Sequence, residues 1–297
     1  QRYCLTRLGL GLNVGPSVMK AVVHRVLSTD PRVESGTSSY VDDILVNEDV
    51  ISAVTVRDLL AQHGLAAKEP ERACDGTRLL GLSVWGDNGT LRWKRDNAIG
   101  AVPERLTRRT VFSLCGKLVG HYPVCGWLRV AAAYIKRQAN EATEGWDDPI
   151  VGDGVHAMLV EVLEQVKRND PACGRWDVAG DSAKIWVDAS SLATGVVVEV
   201  GGSTIEDASW LRSDDASHIN MAELDAVIKG LNVALVWGFR NLELLTDSST
   251  VHRWISDGLT GKSRLKTKAS SEMLIRRRVD IVTSLVAEYG LQVAVRL

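Results

Sequence analysis

The sequence of 297 residues has no unbroken apolar run near the roughly 18 residues that a membrane helix requires, and its most apolar candidate, 127–135, is interrupted by Arg129. No membrane partner is expected. It has no close pair of cysteines: Cys4, Cys74, Cys115, Cys125 and Cys173 are scattered and odd in number, which argues against a disulfide framework or a structural zinc site. A reducing, intracellular setting, cytoplasmic or nuclear, is expected, with Cys115 and Cys125 acting as small buried hydrophobes. Nor is there a charge excess. Lys and Arg number 35 against 37 Asp and Glu, so any nucleic-acid partner has to be held by local patches. Gly11 to Gly15 and Gly116 to Gly120 lack the Gly-Lys-Ser/Thr ending of a phosphate loop.

What is present is an ordinary globular balance, 45% hydrophobic and 24% charged, enough for about two domains. Nine Trp beside two Phe follow no fixed period and read as core and boundary residues. The chain opens on Gln1 and closes on the alternating run Leu291, Val293, Val295, Leu297, which reads as a strand cut within a domain, so a fragment is expected.

Helical spacing of Val18, Val22, Val23 and Val26 predicts a helix over 15–27, closed by Asp30-Pro31. Tyr40-Val41 and Ile44 to Val46 flank Asp42 and Asp43, which predicts a hairpin with two acids at its tip. A helix over 49–63 ends at Gly64; strands over 78–84 and 90–94 are joined by Gly86-Asp87-Asn88-Gly89. Residues 104–139 are mostly helical but broken at Gly116, Gly120, Pro123 and Gly126, 141–154 is a linker, and a helix covers 155–167. Thereafter strands at 184–188, 195–200 and 203–210, a helix at 221–236, a strand at 242–246, helices at 249–256 and 270–289 and a strand at 291–297 predict a mixed five-stranded sheet with flanking helices, an α/β fold.

Asp188 and Asp247 end the first and fourth of these strands, and Glu223 falls in the first turn of the intervening helix. If the two strands are parallel neighbours, the aspartates emerge side by side with Glu223 above them. Carboxylates so grouped repel one another unless a hard cation neutralises them, so the cluster suits Mg²⁺ or Mn²⁺ and two-metal phosphodiester hydrolysis. Acids at strand ends are often merely solvated or cap the following helix, and Asp42 and Asp43 could be plain turn residues. His218 and Asn220 are caps or substrate contacts. Lys262, Arg264, Lys266, Lys268, Arg276, Arg277 and Arg278 form either a phosphate-binding stretch or a solvated helix face.

Tyr40-Val41-Asp42-Asp43 resembles the Tyr-x-Asp-Asp motif of reverse transcriptases, preceded by 8–16, which resembles the Leu/Phe-Gly-Leu-x-x-Ala-Pro block, and followed by Gly64-Leu65 with Lys68 and the Leu79 to Val84 segment, similar to further blocks of that family. Trp186-Val187-Asp188-Ala189-Ser190, Ile219 to Leu224 and Leu245 to Ser248 resemble the three acidic motifs of ribonuclease H domains. The order resembles that of long-terminal-repeat retrotransposon Pol polyproteins. This resemblance implies a reverse transcriptase palm and thumb remnant over 1–100, a connection region over 101–178 and a C-terminally truncated ribonuclease H-like domain over 179–297. It further implies Mg²⁺ or Mn²⁺ at Asp42 and Asp43 and at Asp188, Glu223 and Asp247, and contacts from Ser190, His218, Asn220 and Lys262 to Lys268 with an RNA:DNA hybrid. RNA template, DNA primer and the rest of Pol are the implied partners. The family's further palm aspartate and the fourth ribonuclease H acid have no counterpart in this sequence, so a catalytically dead remnant or co-opted nucleic-acid-binding module stands as the alternative.

Overall fold

A computed structural model describes residues 12–96, 98–120, 122–176, 178–212, 218–261 and 272–297. The chain divides into two compact units, 1–81 and 82–297.

In the first unit, α1 (Gly15–Leu27) carries Pro at its start, where the missing amide costs nothing, and places Val23, Val26 and Leu27 inward. Asp30-Pro31 opens a helix here instead of ending a segment: the Asp30 carboxylate accepts from the Arg32 amide at 2.8 Å and caps α2 (Pro31–Gly36). β1 (Thr37–Tyr40) and β2 (Asp43–Val46) pair antiparallel with Tyr40 opposite Asp43, so the two-residue loop is Val41-Asp42 and not Asp42-Asp43. The tip shifts by one because Val41 takes φ 58°, the left-handed turn the hairpin needs. Ser52 caps α3 (Ala53–Gln62), which therefore starts later than the periodicity implies. Val33, Ile51, Val56 and Leu60 join the α1 residues in one small core. Ile51 packs so closely on Gly36 that an added Cβ there would lie 2.6 Å from its methyl. β3 (Thr77–Leu79) ends the unit at a turn with Leu80 at φ 50°, which cuts short the single strand expected over 78–84.

The second unit begins with β4 (Leu82–Asp87) and β5 (Thr90–Arg95), joined through Asn88 and Gly89 at positive φ, the primed turn that an Asn-Gly pair favours. The helical stretch resolves into α4 (Arg108–Val119) and α5 (Leu128–Glu141), then α6 (Gly154–Arg168). A short strand the sequence pattern does not show, β6 (Cys173–Arg175), pairs with β5.

Next come β7 (Ser182–Ala189), β8 (Ala193–Val200), β9 (Ser203–Leu211), α7 (Ile219–Val236), β10 (Asn241–Leu245), α8 (Ser249–Thr260), α9 (Glu272–Glu288) and β11 (Gln292–Arg296). They build a five-stranded sheet in the order β11-β10-β7-β8-β9. β7, β8 and β9 are antiparallel neighbours, while β10 runs parallel to β7 and to β11, giving the mixed sheet expected from the element order. Strict alternation along β7 sends Ala183, Ile185 and Val187 into the core and Lys184, Trp186 and Asp188 to the other face. α7 covers the core face. It approaches so closely at Gly230 that a Cβ would meet Ile185 at 2.8 Å and Val187 at 3.0 Å. Among the described residues no helix is long and apolar enough to cross a membrane. Cys115 and Cys125 are buried as expected, and burial pushes each thiol up to about 11.

Candidate acidic site at the sheet end

β10 lies parallel to β7 with Leu245 opposite Trp186, so continuing the register by two residues sets Asp247 beside Asp188. Both carboxylates are exposed and line one cleft of about 700 Å³ with Trp127, Trp186, Val197 and Leu245. Asp188 faces Gly195 across the β7–β8 pair, and the missing side chain leaves the cleft open there. Asp188 itself accepts from the Ala189 amide at 2.6 Å.

Asp247 does not cap the helix that follows it. Ser248 does, taking the Val251 amide at 3.3 Å, and the buried Thr246 hydroxyl holds the turn by accepting from the Ser248 amide at 3.2 Å. The chain thus turns from strand into helix while the Asp247 side chain stays in the cleft. This removes the capping reading for that residue.

Glu223 stands on α7, in its second turn instead of the first, because the helix begins at Ile219. It lies seven residues before Gly230, about 10 Å of helix, toward the sheet end that carries Asp188. It does not line the cleft. Its Oε2 is buried without a hydrogen-bond partner among the described residues, an expensive state for a carboxylate oxygen. A cation would satisfy such an oxygen, and an all-carboxylate donor set suits a hard divalent ion. Among the described residues, however, no three acidic, His or Cys side chains are already gathered closely enough to hold an ion together.

His218 occupies the N-cap position of α7 and is exposed, with no side-chain cap bond; Asn220 is half-buried in the first turn. Ser190 is turned to a local task. Its hydroxyl accepts the Leu192 and Ala193 amides at 3.2 and 3.1 Å, closing the β7–β8 turn. In the first unit Asp42 and Asp43 are both exposed at the hairpin. Lys262, Arg264, Lys266 and Lys268, like Leu8 to Gly11 of the upstream block, lie outside the described residues. Of the remaining basic residues, Arg276 pairs with Glu272 at 2.5 Å and Arg278 grips Asp225 at 2.7 and 3.2 Å.

Sequence reasoning passed over Arg129, Arg137, Asp207 and Arg212. The Asp207 carboxylate is nearly buried and accepts from the Cys125 amide at 3.0 Å, from the Gly126 amide and from the Arg129 guanidinium at 2.8 Å. An Asp inside a predicted strand was the available signal, since burial of such a group requires a partner.

Residues 192–285 match the family described as reverse transcriptase-like, and 107–168 match a domain of unknown function. No curated protein matches the sequence. Three solved structures of a foamy viral protease-reverse transcriptase are similar in fold: one in complex with an RNA/DNA hybrid (15% identity, TM-score 0.62, covering 98% of this chain and 39% of that one), one with dsDNA (15%, 0.60, 98% and 60%), and a dRH form with dsDNA (14%, 0.59, 95% and 49%). This chain therefore spans about 40 to 60% of the length of those proteins. The fold is α/β and shared with these enzymes; the reverse transcriptase-like match covers β8, β9 and β10 with Glu223 and Asp247, while β7 with Asp188 and β11 lie outside it.

Proposed function

We propose that the acid-bearing domain hydrolyses the RNA strand of RNA:DNA hybrids with Mg²⁺ or Mn²⁺, as part of a longer retroelement Pol polyprotein. The observation that carries this reading is the delivery of Asp188 and Asp247 to one cleft by parallel neighbouring strands, with an orphaned Glu223 oxygen at the same sheet end. Asp188, Glu223 and Asp247 would hold the ions, which when bound supply an activated water and charge stabilisation at the leaving oxygen. Asp42 and Asp43 would serve the same role for RNA-directed DNA polymerisation only in the intact polyprotein, with RNA template and DNA primer as partners. His218, Asn220 and the Lys262 to Lys268 stretch would bear on the nucleic acid, through contacts that weaken steeply with salt.

The test is cleavage of a labelled RNA strand in a hybrid duplex by this chain and by its Glu223→Gln variant. Cleavage lost in the variant supports the reading. The second reading, a catalytically dead remnant or co-opted nucleic-acid-binding module, is favoured by the absence of a preassembled three-ligand group among the described residues. It predicts hybrid binding without turnover in both proteins.

A further inference from the structure

The helical region matched by the domain of unknown function sends two arginines from one helix to one strand of the acid-bearing sheet. Arg129, in the first turn of α5, binds the Asp207 carboxylate on β9 at 2.8 Å and the carbonyls of Tyr122 and Pro123 at 2.7 and 3.1 Å. Arg137 donates to the Arg212 carbonyl just past the end of β9 at 2.8 Å. The spacings fit a helix lying along the strand: eight helical residues cover about 12 Å and five extended ones about 16 Å. The second clamp continues. The buried Arg212 guanidinium donates to the Ser190 carbonyl at 2.9 Å, and the Arg212 amide donates to the Leu192 carbonyl at 2.8 Å. Ser190 then fixes the turn from inside, and its amide donates to the Ala193 carbonyl at 2.8 Å. Asp188 stands two residues before Ser190. An unbroken chain of hydrogen bonds therefore runs from α5 through Arg137, Arg212 and Ser190 to the strand end that presents Asp188. The same helix start supplies Gly126 and Trp127 to the cleft wall.

We infer that the 107–168 region acts as a brace for the acidic site, with Arg137 and Arg212 as positioning residues that hold the Asp188 end of β7. This rests on the metal-binding reading given above. The physical argument is one of geometry: a two- or three-carboxylate site tolerates little displacement of a ligand, and among the described residues the exposed β7–β8 turn is otherwise held by Ser190. Guanidinium donors to carbonyls are charge-assisted and strong for their size.

The experiment compares the full chain with Arg137→Ala and Arg137→Lys, reading amide hydrogen exchange and Mn²⁺ affinity together. Arg137 is only half-buried, so its truncation is compatible with folding, and the core amide of Val198 serves as the internal control. In Arg137→Ala the Leu192, Ala193 and Arg212 amides are expected to exchange about tenfold faster while Val198 is unchanged, as loss of one charge-assisted bond implies. Mn²⁺ binding weakens several-fold, and Arg137→Lys, which keeps one donor, restores most of both. Unchanged exchange at the turn, or equal acceleration at Val198, overturns the brace. Failure of the unmutated chain to bind Mn²⁺ counts instead against the metal reading, while the exchange result still decides whether the turn is held from α5.

Discussion

Glu223 differs from its two companion acids in having an oxygen removed from water and left, among the described residues, without a partner. In the absence of a cation that state is unfavourable, and the neutral amide of Glu223→Gln removes the charge while keeping the shape. The variant should therefore melt a few degrees above the unmutated chain in a chelator, about 1–2 kcal/mol of relief, and should lose any stabilisation by added Mg²⁺. A thermal scan with and without Mg²⁺ checks both signs. The cysteines give a second prediction. Burial raises the Cys115 and Cys125 thiols to about 11, against an ordinary thiol value of 9.0, so the folded state keeps protons that the unfolded chain releases. Their contribution to stability is complete below about pH 9 and declines as pH rises toward 11. Urea midpoints at pH 8 and pH 10.5 should fall accordingly. Alkylation of the native protein near pH 8 should label Cys74 and Cys173, which are exposed, and spare Cys115 and Cys125.

Packing of α7 on the sheet depends on a glycine, which is why the element that carries Glu223 can lie so close to β7. Gly230→Ala gains helix propensity of about 1 kcal/mol but drives a Cβ into Ile185 and Val187 side chains, a clash that costs about 1–3 kcal/mol. The expected net effect is destabilisation, read as a lower denaturation midpoint. The clamp between β9 and the start of α5 is more sensitive still. Asp207→Ala strips the Arg129 guanidinium, the buried Cys125 amide and the Gly126 amide of their acceptor together and should cost about 3–5 kcal/mol in denaturant unfolding. Much at this scale was legible beforehand: α1 runs over 15–27 as its valine spacing demands, and the alternation of β7 to β9 matches the observed strands within two residues. Boundaries that depend on a single cap or turn were not. Asp30 opens α2, Leu80 interrupts the 78–84 strand, and Val41 adopts a conformation that β-branched residues rarely enter. Each is a local backbone choice that hydrophobic periodicity does not record.

Across the molecule, the pairing of Asp188 with Asp247 was readable because a helix between two strands predicts parallel neighbours, and β7 and β10 are such neighbours. The brace was not readable. Its bonds link residues 75 and 22 positions apart, from guanidinium groups to backbone carbonyls, and carry no spacing or composition signal. The central claim is that Asp188, Glu223 and Asp247 serve one cation site although only two of them share the cleft. Calorimetric titration of the chain with Mn²⁺, repeated on Asp188→Asn, Glu223→Gln and Asp247→Asn, tests this most directly. The account predicts saturable binding that falls at least tenfold in each variant. Absence of binding to the unmutated chain, or binding that survives all three substitutions, would contradict it.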